Sequence, residues 1–307
     1  MSDDSKMQST KKDKAWLAPN QDYSEGAKVF RAGLYLVATP IGNLRDITLR
    51  ALDVLAAADL IACEDTRVTG KLLSAYSIKA KMMPYNDHSD EAARARIIEA
   101  AKDKCVVLCS DAGMPLVSDP GYKLVKQARQ AGVYVSSMPG ANAPLTALQL
   151  SALPSDQFSF LGFLPTKSAA RKDMLERWRS VDSSLIAFDT APRLLKTLHD
   201  IVEVMGAERK VAVTRELTKM YEDVRCDEVS QLVEHYETHG LPKGEIVLVI
   251  APPDAQHYSE ANIEELLLKA LETMRTKEAA SYVSDVTGAP KKELYKMALS
   301  LKGEGGA

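Results

Sequence analysis

The segment that most restricts the fold is Ser110-Asp-Ala-Gly-Met-Pro-Leu-Val-Ser-Asp-Pro-Gly121, which directly follows the apolar run Val106-Val-Leu-Cys109. A short apolar run stopped by glycine, proline and aspartate reads as a buried strand that ends in a turn. Ligands of open α/β sheets bind in the crevice beyond the carboxyl ends of the strands, so this turn is a candidate binding loop. The arrangement occurs twice more: Leu34-Tyr-Leu-Val-Ala38 enters Thr39-Pro-Ile-Gly-Asn43, and Val133-Tyr-Val-Ser-Ser-Met138 enters Pro139-Gly-Ala-Asn142. Three such strand ends in one half of the chain imply one shared cleft.

Between these ends, strand and helix signals alternate as in the βα units of a parallel sheet. Asp46 or Thr48 can cap a helix whose Leu49, Leu52 and Leu55 share one face. A strand at 60–63 delivers Glu64, Asp65, Thr66 and Arg67 to its carboxyl end. Helices at 89–101, 122–131 and 143–150 and strands at 105–109 and 133–138 complete an α/β domain expected over 31–153. Proline and capping residues in Ala152-Leu-Pro-Ser-Asp156 mark its end. A second α/β domain, 154–253, is expected to hold a mixed sheet with strands at 157–162, 184–188, 211–214, 221–226 and 245–250. It also contains a basic helix at 167–179 and an amphipathic one carrying Leu194, Leu198, Ile201 and Met205. After Pro252-Pro253 comes a helical tail, 258–302, in which two short helices around Gly288-Ala-Pro290 have the shape of a helix-turn-helix. Residues 1–30 mix Lys, Asp, Ser and Gln with little apolar content and read as a disordered extension.

The chain has 307 residues, 46% hydrophobic and 26% charged, which is the composition of a folded globular protein of about two domains. A formal net charge of −3 argues against strong nonspecific binding of nucleic acid. Basic residues nevertheless outnumber acidic ones between Lys167 and Lys219, where a phosphate-contacting patch and an ordinary solvated face are both open readings. Cys63, Cys105, Cys109 and Cys226 follow no metal-binding spacing and read as reduced thiols. No metal is expected. With no charged-then-apolar leader and no long apolar run, a cytoplasmic protein away from membranes is expected. Neither the dinucleotide pattern G-x-G-x-x-G nor the phosphate-cradling G-x-x-x-x-G-K-[ST] occurs, so the glycine loops point to another kind of cofactor.

Six motifs, Thr39-Pro-Ile-Gly-Asn-Leu44, Glu64-Asp-Thr-Arg67, Ser110-Asp-Ala-Gly113, Asp119-Pro-Gly121, Arg215-Glu-Leu-Thr218 and Lys243-Gly-Glu245, stand in matching order and spacing from about Gly33 to Lys302. In this the chain resembles the ribosomal RNA small-subunit 2′-O-methyltransferase I family of the tetrapyrrole-methylase superfamily. It departs from the family's usual pattern at Met114, Asn86, Ser89, Asp189 and Ala141-Asn142, where Thr, His, Asn, Glu and Pro-Ser are usual. The resemblance implies two α/β domains with a cofactor cleft between them and a helix-turn-helix-like tail. It also implies a homodimer, S-adenosylmethionine as methyl donor, and as target a cytidine ribose in the decoding region of small-subunit ribosomal RNA, free or in the 30S subunit. A tetrapyrrole-precursor C-methyltransferase and a noncatalytic RNA-binding or ribosome-assembly module remain the alternatives.

Under this resemblance Glu64, Asp65, Arg67 and Glu216 are the expected catalytic set, carboxylates at strand ends being suited to accept a hydroxyl proton. Cofactor contacts are expected from Pro40, Gly42, Asp111, Ala112, Gly113, Leu116, Val117, Ser118, Ala141, Asn142, Asp189 and Glu245, which offer close backbone approach, an apolar slot and polar anchors. RNA contacts are expected from His88, Lys167, Arg171, Lys172, Arg193, Arg215, Lys291 and Lys292.

Overall fold

The computed structural model describes residues 30–86, 89–253, 260–287 and 289–304. His88 and Gly288 lie outside them, as do residues 1–29 of the expected extension, whereas its last residue, Phe30, packs edge-on against Tyr35. The described residues form two compact units, one of 30–175 and 183–251 with both sheets, the other of 176–182 with the C-terminal helices.

In the first unit, strands β1 (Gly33–Val37), β2 (Leu60–Cys63), β3 (Met82–Pro84), β4 (Cys105–Cys109) and β5 (Val135–Met138) form an all-parallel sheet in the order β3-β2-β4-β1-β5. Helices α1 (Leu49–Ala56), α2 (Thr66–Ala75), α3 (Glu91–Asp103) and α4 (Tyr122–Gln130) are the crossovers. Parallel strands are covered on both faces, and the alternation along each strand divides accordingly. Tyr35, Val37, Ile61, Cys63, Val107 and Cys109 pack with the core under Leu52 and Leu55. Leu34, Ala62, Val106 and Leu108 pack with Ile97 of α3 and Leu124 of α4. Thr48 caps α1 by accepting from the Ala51 N–H, as its place before an apolar stripe predicts.

The second sheet contains β6 (Phe158–Phe163), β7 (Ser184–Thr190), β8 (Lys210–Arg215), β9 (Asp223–Glu228) and β10 (Glu245–Ile250) in the order β6-β7-β10-β8-β9. It is mixed: β6 runs parallel to β7, and the other pairs are antiparallel. Helix α5 (Ala143–Ser151) leaves the end of β5 and packs Ala147 and Leu148 against Ile186, Ala212, Val247 and Val249 of this sheet. It thereby carries the first sheet's third glycine loop to the second sheet. Helices α6 (Ser168–Trp178), α7 (Leu194–Met205) and α8 (Val229–His239) complete the connections.

In the second unit, α9 (Glu260–Thr273), α10 (Thr276–Thr287) and α11 (Lys291–Glu304) enclose their own core of Leu267, Ala270, Ala279, Ala280, Val283, Leu294 and Ala298. Among the described residues no helix is long and apolar enough to cross a membrane, and no group of three or more His, Cys, Asp or Glu could hold a metal ion. Cys63, Cys105 and Cys109 are buried free thiols, with Cys109 pushed up to about 12 by burial, whereas Cys226 is exposed.

Candidate active site

Strand order brings the three glycine-bearing ends together. β1 lies between β4 and β5, and Val37 is level with both Cys109 and Met138. The loops leaving β1 and β4 are tied by a two-residue bridge: Thr39 N–H donates to the Gly113 carbonyl (2.9 Å) and Gly113 N–H to the Thr39 carbonyl (3.0 Å). The buried Thr39 hydroxyl donates to the Ser110 carbonyl. Gly113 adopts φ +80°, a left-handed conformation that favours glycine. Leu116 (72°) and Ser118 (63°) adopt it without being glycine, at about 1–2 kcal/mol each, which places backbone strain in the loop that meets the cavity.

That cavity, of about 370 Å³, is walled from both sheets. The first sheet's loops supply Ile41, Ala112, Gly113, Met114, Val117, Ser118, Asp119 and, at the start of α5, Asn142, Ala143 and Pro144. The second sheet supplies Phe163, Phe188, Asp189, Thr190, Gly244, Glu245, Ile246 and Val247. Asn142 caps α5 through the Leu145 N–H and donates to the Met114 sulfur. At the end of β7, Asp189 accepts from the Thr190 N–H (2.8 Å) and faces the Arg193 guanidinium (3.2 Å), both at Oδ1. Its Oδ2 is buried and has no protein partner, an arrangement that suits a ligand bringing a hydrogen-bond donor. A largely apolar cleft of this size with an orphaned carboxylate oxygen fits S-adenosylmethionine, whose adenine needs an apolar slot and whose amine and hydroxyls need acceptors.

A second cavity, of about 240 Å³, is lined by Thr39, Pro40, Gly42, Leu44, Val68, Thr69, Lys71, Leu72, Ser110 and Asp111. All come from the first sheet's loops and α2.

Of the expected cofactor contacts, Ala112, Gly113, Val117, Ser118, Asn142, Asp189 and Glu245 line the first cavity. Pro40, Gly42 and Asp111 instead line the second, while Leu116 and Ala141 line neither. Leu116 packs into the core beside Leu108 and Leu124.

Within the expected catalytic set Asp65 and Arg67 pair with each other, while Glu216 is tied to Lys219 and to the start of β10. Asp65 caps α2, accepting the Arg67 N–H (2.8 Å) and a two-pronged contact from the Arg67 guanidinium. The guanidinium and that N–H hold the Asp65 carboxyl down to about 2. A carboxylate so strongly acidic is a poor proton acceptor near neutrality. Glu216, with φ 48°, receives the Glu245 N–H (3.0 Å) and Lys219 Nζ (2.9 Å) on Oε1, and these two contacts hold it below the usual carboxylate range. Lys219 also reaches Glu245 Oε2 (2.8 Å). Gly244, at φ +104°, has no room for a Cβ, which would stand 2.5 Å from Glu216 Oε1. Glu216 thus ties the loop after β8 to the start of β10. Glu64 lines neither cavity.

Five expected RNA contacts are engaged within the fold. Arg171 is buried, paired with Asp200 (2.5 Å) and donating to the Pro165 carbonyl (3.0 Å), so it cannot reach a phosphate. Arg193 is held by Asp189 and the Leu164 carbonyl. Arg215 donates to the Lys243 carbonyl. Lys172 pairs with Glu203, and Lys291 reaches the Ser281 hydroxyl. Lys167 and Lys292 are exposed. Sequence reasoning missed most of the second-sheet wall, Phe163, Phe188, Thr190, Gly244, Ile246 and Val247, and also Lys71, four residues beyond Arg67 on α2.

Comparison with known proteins identifies the family. Tetrapyrrole (Corrin/Porphyrin) Methylases match over residues 33–233, and the RsmI C-terminal HTH domain matches over 259–302. The ribosomal RNA small subunit methyltransferase I of Erythrobacter litoralis is 49% identical over 91% of this chain and 99% of its own length. That of Vibrio cholerae is 42% identical over 94% of this chain and 100% of its own. Among solved structures, uroporphyrin-III-C-methyltransferase from Thermus thermophilus has a TM-score of 0.51 at 23% identity, covering 72% of this chain and 94% of that one, a likeness of fold. Matched along nearly its whole length, including the helical tail, the chain belongs to the ribosomal RNA small subunit methyltransferase I family, within the tetrapyrrole methylases.

Proposed function

We propose that this chain is an S-adenosylmethionine-dependent methyltransferase that modifies the 2′-hydroxyl of a cytidine ribose in the decoding region of small-subunit ribosomal RNA. The observation that carries this reading is the near-complete match to relatives named for small-subunit ribosomal RNA methylation, which covers the cavity-bearing unit and the tail alike. A tetrapyrrole-precursor methyltransferase would share the two-sheet cavity, but the match over 259–302 lies beyond that shared fold.

The cavity between the sheets would hold the cofactor, with the orphaned Asp189 Oδ2 accepting one of its donors and Asn142 and Pro144 closing one side. When bound, S-adenosylmethionine supplies an electrophilic methyl group on a sulfonium. The chain's own contribution is alignment, exclusion of water and acceptance of the ribose hydroxyl proton. Lys292 on α11, exposed beside Tyr295, supports an RNA-contacting role for the tail. A homodimer acting in the cytoplasm, on naked RNA or on the 30S subunit, belongs to the same proposal.

The test is transfer of a labelled methyl group to naked 16S ribosomal RNA and to 30S subunits, followed by mass mapping of the product. A 2′-O-methylcytidine in the decoding region is the expected result. Cofactor binding with no transfer to either substrate would instead favour a noncatalytic RNA-binding module.

A further inference from the structure

Two of the three carboxylates expected to take the ribose proton, Asp65 and Glu216, are tied into ion pairs with Arg67 and Lys219, and neither lines a cavity. Asp111 differs in position. It is the last residue of β4's outgoing loop to line the second cavity, and its chain neighbour Ala112 is the first to line the cofactor cavity. One carboxylate oxygen, Oδ1, is fixed by the Asp65 N–H at 3.0 Å, which anchors the loop of β4 to the cap of α2. The rest of the second cavity is mixed in character. Leu44, Val68 and Leu72 make it apolar, Thr39 and Ser110 line it with their hydroxyls already donating to backbone carbonyls, and Lys71 brings a cation from α2.

We infer that the second cavity receives the target nucleoside, that Asp111 accepts the proton of its 2′-hydroxyl, and that Lys71 contacts an adjoining phosphate. This rests on the methyl-transfer reading and adds the acceptor side to it. Apolar walls suit the face of an unstacked base, and single-stranded RNA is read by splaying its bases into such recesses. A lysine beside the recess suits the phosphodiester that accompanies the base. The step balances without a further reactant. The 2′-oxygen forms a bond to the methyl carbon, the carbon–sulfur bond breaks with its electron pair passing to sulfur, and the hydroxyl proton passes to Asp111. S-adenosylhomocysteine and a methyl ether result, and Asp111 returns the proton to water. Asp111 lines the acceptor cavity and is bonded directly to Ala112 of the cofactor cavity, as a group that acts where donor and acceptor meet must be.

Asp111→Asn tests the assignment, because the amide oxygen can still accept the Asp65 N–H while the basic oxygen is lost. The expected result is a kcat on 30S subunits or 16S ribosomal RNA lower by about 10²–10⁴-fold, with S-adenosylhomocysteine affinity by calorimetry within twofold of wild type. Retained affinity for that product also reports an intact fold. Val68→Trp, which fills the second cavity without touching Asp111, should raise KM for RNA at least tenfold and leave binding of S-adenosylhomocysteine unchanged. Wild-type kcat in Asp111→Asn overturns the assignment, as does a loss of S-adenosylhomocysteine affinity beyond tenfold, which would return Asp111 to the cofactor. Wild-type KM for RNA in Val68→Trp overturns the acceptor cavity. A wild-type chain that binds no S-adenosylhomocysteine overturns the methyl-transfer reading itself, and this one with it.

Discussion

The two cavities differ in what builds them. The larger has one wall from each sheet, and its second-sheet wall depends on an antiparallel register that sets Glu245 against Thr190 and Ile246 against Asp189. The smaller is lined wholly by segments that leave β1, β2 and β4 at one end of one parallel sheet. A pocket made by neighbouring strand ends is specified largely by local turns, and here Gly42 of its lining packs closely on the second sheet's loop at Leu217 to Lys219. A pocket shared by two sheets also needs whatever holds the second wall in place. Here that support is buried charge: Arg171 donates to the Pro165 and Thr166 carbonyls and Arg193 to those of Leu164 and Pro165, just after the Phe163 wall.

The largest effect that separates the two pockets is expected at Arg171. Arg171→Leu leaves Asp200 buried without its guanidinium, and breaking such a pair costs about 3–5 kcal/mol. Urea denaturation should show that loss. Calorimetry on the folded fraction should show weaker S-adenosylhomocysteine binding, with RNA affinity retained. Equal losses of both would mean that the pockets are not separately supported. Next in size is Asp189→Ala. Losing a charged acceptor for a ligand donor costs about 1.5–3 kcal/mol, or roughly tenfold to a hundredfold in cofactor affinity. RNA affinity should hold. Unchanged cofactor affinity would show that Oδ2 meets no ligand. Smaller again is Lys71→Ala, which should weaken RNA binding severalfold and lower the slope of log K against log salt by about 1. Cofactor binding should not respond, and an unchanged salt slope would remove Lys71 from the RNA path.

Much of the smaller pocket is legible in the sequence, because glycine and proline after apolar runs mark strand ends wherever they pair. Pairing order is not legible, yet the three marked ends prove to be adjacent strands. The missing side of that pocket is α2. Thr66, Val68, Thr69 and Gly70 are poor helix formers, and the helix exists because Asp65 caps it and Thr69, Leu72 and Leu73 are buried. β3 is three residues ending in proline, too short to stand out. Helix α8, with Val229, Leu232 and Tyr236 buried at helical spacing, has a readable stripe that the strand-centred expectation passed over. The second-sheet wall of the larger pocket was legible only at Asp189 and Glu245. Arg171 reads as solvated because charged helix residues usually are, and its partner Asp200 stands 29 positions away on another helix. Long-range charge pairing leaves no local trace.

The smallest effect expected is at Asp65, the carboxylate whose place at a strand end made it a natural proton acceptor. Asp65→Asn keeps a good helix cap and loses the exposed ion pair with Arg67. Activity should stay within severalfold of wild type, and kcat/KM should show no Asp65 titration from about pH 4 upward, since the guanidinium and N–H of Arg67 hold its carboxyl near 2. A carboxylate with a lowered folded-state value stabilises above its ordinary 3.8, and that contribution fades as pH falls toward about 2. The small stability advantage of wild type over Asp65→Asn should therefore be complete above pH 4 and shrink below it, which denaturation at pH 5, 3 and 2 can follow. The comparison with Asp111→Asn is decisive because the two residues share one hydrogen bond, from the Asp65 N–H to Asp111 Oδ1. Backbone donation survives both substitutions, so a difference in kcat reports the carboxylate and not the link. Should Asp65→Asn lose activity a hundredfold and Asp111→Asn keep it, the proton acceptor is the cap of α2 and the assignment of Asp111 falls.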